Sequence, residues 1–377
     1  MEFIISTSPY WLLFFMPVVG LNLDNWAPSR LTNSVWIVFT AILVLVVGLR
    51  NEVGGDWGPY QSFVDRAAGM PLTEALRYQE DGFAFLNWLG ANGFGGIYFV
   101  NLSCAILAII PLVLFCRSRP SPWIALVVAV PYLIIVVCMG YTRHSVAIGM
   151  TLLAIMCLES RRFFLALAWI TLASLFHRTA IVLAPLVVVC MWFAQQRKPA
   201  TILMAIAYVI ALSWFTFGQV LWAKLNSYVA LPISSIMTEL DLAPSEAASS
   251  TSNQGPVHSG GALIRIGLGC VAGAAYLFFG RRSELGTGRA AIWTSVAVAN
   301  FLLLPTALIF STLADRIALY LIALQMHTAP LLDSILAGRQ RLLFRFAMIM
   351  AYLTLLFGWL YFSDYSQHWL PYGNLLL

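Results

Sequence analysis

Apolar runs of about 17–25 residues, the length a helix needs to cross a bilayer, recur along this chain and decide what it can fold into. A backbone in hydrocarbon must satisfy its own N–H and C=O groups, so such runs read as membrane-spanning helices. The weaker alternating pattern of a transmembrane barrel is absent. Charged residues make up 10% of the sequence, against roughly 25% in soluble domains, which excludes a soluble globular fold. Hydropathy gives about twelve candidate spans, at roughly 3–20, 34–49, 97–115, 122–140, 144–159, 163–177, 179–195, 201–219, 262–280, 290–311, 316–336 and 343–362. The expected fold class is all-α, a polytopic transmembrane helical bundle forming a single domain over residues 1–377. All six cysteines lie inside apolar runs and none forms a CxxC pair, so neither a disulfide framework nor a metal site is expected. Glu2 stands where a cleaved signal would carry cations, and Phe3–Val19 reads as a retained span.

Arg and Lys set the orientation. The clusters Arg117/Arg119, Arg161/Arg162, Arg197/Lys198, Arg281/Arg282/Arg289 and Arg339/Arg341/Arg345 fall at alternate span ends. Positive residues favour the cytoplasm, so those ends are inside. With Arg30 they put thirteen of the 21 basic residues and four acids on that side, leaving eight basic residues and twelve acids opposite. Both termini and two long loops, about 50–81 and 220–261, are then non-cytoplasmic. The second loop contains SEAASSTSNQGPVHSGG, a Ser/Gly/Pro-rich stretch that reads as mobile. Gly82–Gly93 is too short to span and reads as an interfacial or re-entrant helix.

Some charged residues do not fit the cytoplasmic clusters. Arg50 and Asp56 lie in RNEVGGDWGPY, Arg143 and His144 in GYTRHS, His177 and Arg178 in FHRTA, and Asp315 and Arg316 in LADRIALY. All fall on the non-cytoplasmic face of this topology. Three of these links are very short, so their charges sit near membrane depth, where a lipid-facing charge costs about 2.5–3.5 kcal/mol. A shared polar cavity resolves four such costs better than four unrelated exposures. Each group also has a plain structural reading. Arg50 can snorkel from a helix end, Asp56 can cap a helix starting at Trp57, and Asp315 can pair with Arg316. The two His-Arg links can be interfacial punctuation. His258, His327 and His368 carry no expected role, and His327 reads as packing.

Several guanidinium groups around one cavity suit a phosphate or diphosphate, which Arg holds bidentately. A nearby His or Asp can take a proton from an attacking hydroxyl, and Trp57, Tyr60, Tyr141 and Tyr320 offer flat faces for sugar rings. No P-loop, Rossmann fingerprint, HExxH or GxSxG occurs, which leaves nucleotide hydrolysis, zinc proteolysis and serine-hydrolase chemistry unsupported. A substrate that reaches the outer face with its own diphosphate leaving group fits this pattern.

The chain resembles the EpsG family of Wzy-like polysaccharide polymerases. The matching pieces are Arg50, Gly54-x-Asp56 and Tyr60, then Arg143, Phe176-His177, Arg316 with Tyr320, and the tail Trp369-Leu370-Pro371-Tyr372. His144 stands where glutamine would be expected. The resemblance implies a multi-pass glycosyltransferase of the bacterial inner (plasma) membrane, GT-C-like, with its site on the periplasmic side. It would polymerise undecaprenyl-diphosphate-linked repeat units into exopolysaccharide or O-antigen. The implied partners are the lipid-linked glycan donor and acceptor, membrane lipid and a chain-length regulator, with no nucleic acid, cofactor or metal. On this reading His177 is the first candidate base and Asp56 the second. Arg143, Arg178 and Arg316 would hold the diphosphate, and Arg50, Tyr60, His144, Asp315 and Tyr320 would line the sugar and diphosphate site. An O-antigen-ligase-like transferase, a transporter or flippase of lipid-linked oligosaccharide, and a membrane acyltransferase remain alternatives.

Overall fold

A computed structural model describes residues 2–23, 29–194, 208, 261–284, 288–309 and 311–376. It is 85% helix, and the described residues contain no strand. Five described helices are long and apolar enough to cross a membrane: Leu31–Gly48, Gly96–Arg117, Ala262–Glu284, Gly288–Ala307 and Gly338–Phe362. These coincide with five of the twelve spans read from hydropathy. Among the described residues, the other spans are not in that set. Pro122–Cys138, Phe163–Ser174 and Arg178–Met191 are apolar but shorter. The 316–336 run is divided between Ser311–Leu321 and Ala323–Ile335. Thr142–Glu159 opens on polar residues, and Glu2–Leu23 carries Pro9 and Pro17. The run at 201–219 lies outside the described residues apart from Tyr208, as does the 220–261 loop apart from Gly261.

The chain falls into two compact units. One comprises Met1–Leu153, Leu172–His177 and Ala329–Leu377, the other Ala154–Thr171 and Arg178–Thr328.

In the first unit, α1 (Ser29–Gly48) and α2 (Gly96–Arg117) run antiparallel. Tyr98 Oη donates to Asn51 Oδ1 at 2.8 Å at one end, and Arg117 Nη2 to Asn33 Oδ1 at 2.6 Å at the other. A helix of some 20 residues rises about 30 Å, so the unit has two separated ends. The end near Arg50 carries α3 (Trp57–Ala67), α4 (Leu72–Ala75) and α5 (Asp81–Gly93). The 50–81 stretch, expected to be a loop, therefore holds two helices of its own. At the Arg117 end, fully buried Asp333 accepts hydrogen bonds from Ser121 at 2.5 Å and from Arg341 and Arg345. That carboxylate holds together part of the expected cytoplasmic cluster.

Between the ends lies α6 (Pro122–Ala129), which widens into a π-helical stretch over Val130–Cys138. Pro131 lacks an N–H and its ring crowds the carbonyl four residues back, which accounts for the loosened register. Nearly every side chain here is buried, and Trp123 stacks on Trp36 with ring centroids 4.0 Å apart.

In the second unit, α7 (Ala262–Ala275) packs on α8 (Gly288–Ile309) through small residues. A Cβ on Gly269 would lie 2.1 Å from Asn300 Oδ1, so a larger residue there would force the Asn300 side chain to move. His327 is 2% exposed and stacks on Trp293 at 4.0 Å, as expected of a packing residue. Tyr276 Oη donates to Glu284 at 2.9 Å in the same cluster.

Candidate functional site

The Arg50 stretch begins where α1 ends at Gly48. Arg50 is 1% exposed and points inward, not toward a lipid interface. Its Nη1 donates to Val47 O at 2.6 Å and its Nε to Val53 O at 3.1 Å. Its Nη2 donates to Asn101 Oδ1 at 3.2 Å and Thr142 Oγ1 at 2.8 Å. The guanidinium satisfies a helix-end carbonyl, fixes the following turn and ties in two neighbouring helices. Burial lowers its pKa to about 10, so it stays charged at neutral pH. An arginine committed to four protein acceptors positions the loop and has little left to offer a ligand.

The tail closes over this loop. Gly54 has φ +108°, and a Cβ there would lie 2.2 Å from Met139 O. Its N–H donates to His368 O at 2.8 Å, and Asn51 N–H donates to Gly373 O at 2.9 Å. Trp369 seats its ring against Gly140, where a Cβ would come within 2.6 Å. The indole Nε1–H donates at 2.9 Å to Ile135 O, a carbonyl of the π-helical stretch. Tyr372 Oη reaches Val46 O at 2.9 Å. The tail motif is thus a clasp on the Arg50 loop, a role that nothing in its own sequence signalled.

Asp56 occupies the N-cap position of α3 as expected, but makes no side-chain capping bond. One turn on, Tyr60 is 4% exposed and packs edge-on against Phe83 at 5.5 Å. Burial raises the Tyr60 pKa and Asp56 raises it further; a hydrogen bond from Arg143 only partly reverses this, so the phenol stays protonated. Arg143 Nη1 pairs with Glu80 Oε2 at 2.8 Å, and the guanidinium lies 5.9 Å from the Phe83 ring. His144 and His177 stack with centroids 4.2 Å apart and planes at 22°, each 5% exposed. Gly82 N–H donates to Leu175 O at 2.9 Å and so anchors the segment leading to His177. The first unit therefore brings together Asp56, Tyr60 and Arg143, and separately pairs His144 with His177.

The second unit holds the remaining candidates. Arg178 is exposed and opens a 3₁₀ turn, Arg178–Leu183. The neighbouring Thr179 Oγ1 lies 3.1 Å from Tyr320 Oη. Asp315 does not pair with Arg316 here. It is held by Arg265, whose Nε donates to Oδ1 at 2.6 Å and whose Nη2 bonds Oδ2. Arg316 Nη1 is buried and has no hydrogen-bond partner among the described residues.

Glu80 and Arg265 are the charged partners that sequence reading missed. They lie 63 and 50 residues from Arg143 and Asp315, and no spacing rule links such pairs. Arg265 did carry one signal, a lone cation early in an otherwise apolar run.

Five described apolar helices of membrane length define the class, an integral membrane protein. The family model of the EpsG family matches residues 33–374, nearly the whole chain, and the chain belongs to that family. Neither the curated proteins nor the solved structures gave a match.

Proposed function

We propose that this protein polymerises lipid-linked oligosaccharide repeat units, passing the growing glycan from one undecaprenyl diphosphate to the next unit. Membership of the EpsG family supports a role in polysaccharide synthesis. The observation that carries the further step, to an anionic leaving group, is the buried Nη1 of Arg316, which has no protein acceptor among the described residues. A buried charged donor is costly without an acceptor, and a phosphate oxygen is the acceptor a guanidinium fits best. Arg265 already occupies Asp315, so that carboxylate does not quench its neighbour.

This reading keeps the roles assigned residue by residue from the sequence: Arg316, Arg178 and Arg143 go to the donor's diphosphate, where negative charge grows as the bond to the anomeric carbon breaks. The acceptor hydroxyl attacks that carbon and forms the new glycosidic bond, its proton passes to His177, and undecaprenyl diphosphate leaves. His144, stacked on His177, fixes the plane of the base. Asp56 is the second candidate base, and its neighbours Tyr60 and Arg143 suit it to orienting sugar hydroxyls. The site would face the periplasm of a bacterial inner membrane. The first unit's basic cluster lies at the end opposite the Arg50 loop, and basic ends favour the cytoplasm.

The test is conversion of defined undecaprenyl-diphosphate-linked repeat units to longer chains by purified protein in nanodiscs. Wild type extends the units. His177→Ala and Arg316→Ala, with unchanged melting temperature, lose about 10²–10⁴-fold in rate. Full activity in both variants would remove the assignment. An enzyme that only ligates finished chains to a different acceptor would give no growth from repeat units alone.

A further inference from the structure

The basic end of the first unit is tied up internally, since Arg117 donates to Asn33 and both Arg341 and Arg345 donate to Asp333. The basic end of the second unit is not. Arg161, Arg162, Arg281, Arg282 and Arg289 make no ion pair among the described residues. Four of them are exposed. Arg281 is half-buried, and its Nε is buried without a hydrogen-bond partner among the described residues. Packing gathers these side chains at one place. Trp293 Nε1 donates to Glu159 Oε1 at 2.9 Å, which fixes the chain just before Arg161 to an early turn of α8. A Cβ on Gly288, the first residue of α8, would lie 3.7 Å from Arg161 Nε, so that guanidinium lies over Gly288, beside Arg289. Glu159 and Arg281 both act on Tyr276 by charge, which brings Arg281 to the same cluster.

Two further features set the chemistry of what these arginines meet. Arg161 has φ +57°, just past the end of the helix Thr142–Glu159. Glycine normally fills such a position, because a side chain there is strained. An arginine held in it points to a use for its guanidinium. The second feature is bare apolar surface on the membrane side of each arginine pair. Phe164, 81% exposed, follows Arg161 and Arg162, while Phe278 and Phe279, 71% and 66% exposed, precede Arg281 and Arg282 at the end of the span Ala262–Glu284. A cationic rim above exposed aromatic rings has the two-part chemistry of an anionic lipid: phosphate for the arginines, acyl chains for the rings. A soluble phosphate would engage the arginines and leave the rings bare. A zwitterionic lipid would cover the rings but bring a cation of its own to the rim.

We infer that the basic end of the second unit is a binding site for an anionic phospholipid, with its phosphate between Arg161 and Arg281 and its acyl chains along Phe164 and Phe278. The site stands apart from the residues assigned above to transfer and does not rest on the polymerase reading. It also gives Arg281 Nε the acceptor that the described residues do not supply.

The test is native mass spectrometry of the full-length protein in detergent, titrated with dioleoyl phosphatidylglycerol or dioleoyl phosphatidylcholine. Phosphatidylglycerol is expected to bind at least about tenfold more tightly. Arg161→Gly and Arg281→Gln should each weaken it about fivefold, roughly the weight of one arginine at a lipid surface, and leave phosphatidylcholine unchanged. Arg161→Gly also relieves a strained backbone, so it is expected to melt no lower than wild type, and its lost affinity is then not lost folding. Arg339→Gln, an exposed arginine at the basic end of the first unit, should bind phosphatidylglycerol as wild type does. Equal affinity for the two lipids, or an undiminished preference in either folded variant, would overturn the site. An equal loss in Arg339→Gln would reduce it to diffuse surface charge. Displacement of phosphatidylglycerol by millimolar inorganic phosphate would assign the arginines to a soluble anion and remove the lipid.

Discussion

Two arginines of the same sequence standing have opposite surroundings. Arg50 is consumed by Val47 O, Val53 O, Asn101 Oδ1 and Thr142 Oγ1, while Arg316 keeps a buried N–H unmatched among the described residues. Their removal should therefore separate stability from activity. Arg50→Ala leaves four acceptors buried and unpaired and is expected to cost about 3–5 kcal/mol, read as a large fall in melting temperature. Arg50→Lys recovers only part of this, because a point charge cannot reach four acceptors set around a planar fork. Arg316→Ala is expected to stay within about 0.5 kcal/mol of wild type in stability while losing chain growth. A destabilised Arg316→Ala with an undisturbed Arg50→Ala would reverse both assignments. That both arginines are exceptional was legible, since each stands outside the cytoplasmic clusters in a chain that avoids charge. Which one is spent internally was not legible. The deciding partners, Asn101 and Thr142, are neutral polar residues belonging to other helices, and only folding brings them to Arg50.

At the scale of elements, the tail and the π-helical stretch act as one device. Pro131 loosens the helix over Val130–Cys138, and Ile135 O accepts the Trp369 indole N–H. The seated tail then holds Asn51 and Gly54 by their amides. Trp369→Ala is expected to cost about 3–5 kcal/mol and to accelerate hydrogen exchange at the Asn51 and Gly54 amides. Trp369→Phe keeps most of the packing and loses one hydrogen bond, about 1 kcal/mol, so exchange rises less. Unchanged exchange at Asn51 and Gly54 in Trp369→Ala would mean that the loop holds itself. The sequence offers a helix starting at Trp57 only as one reading of Asp56 within an expected loop, and it does signal a short helix over 82–93, because cap, proline and apolar spacing are local signals. It did not show α4, a single turn with no periodicity to read. Nor did hydropathy show the division of the 316–336 run, since it averages over the point where a helix stops.

For the whole molecule, the open question is which ends face which compartment, and each unit offers a site at either end. In the first unit, exposed Glu74 in α4 lies at the Arg50 end, and exposed Arg339 is two residues from Arg341, which binds Asp333 at the other. In the second, exposed Arg178 adjoins the Thr179–Tyr320 contact, and exposed Arg282 adjoins the Tyr276–Glu284–His327 cluster. Cys104, Cys116, Cys138 and Cys190 are buried, so replacing half-buried Cys157 and Cys270 leaves a background quiet to thiol reagents. In that background, Glu74→Cys and Arg178→Cys are expected to label from outside intact cells. Arg339→Cys and Arg282→Cys should label only after the membrane is opened. The charge bias behind this expectation, thirteen of 21 cations on one side, follows from the twelve-span reading of the sequence. Labelling of Glu74→Cys and Arg339→Cys from the same side would therefore break the orientation. It would also remove the proposed periplasmic placement of transfer, which puts the Arg50 end of the first unit outside.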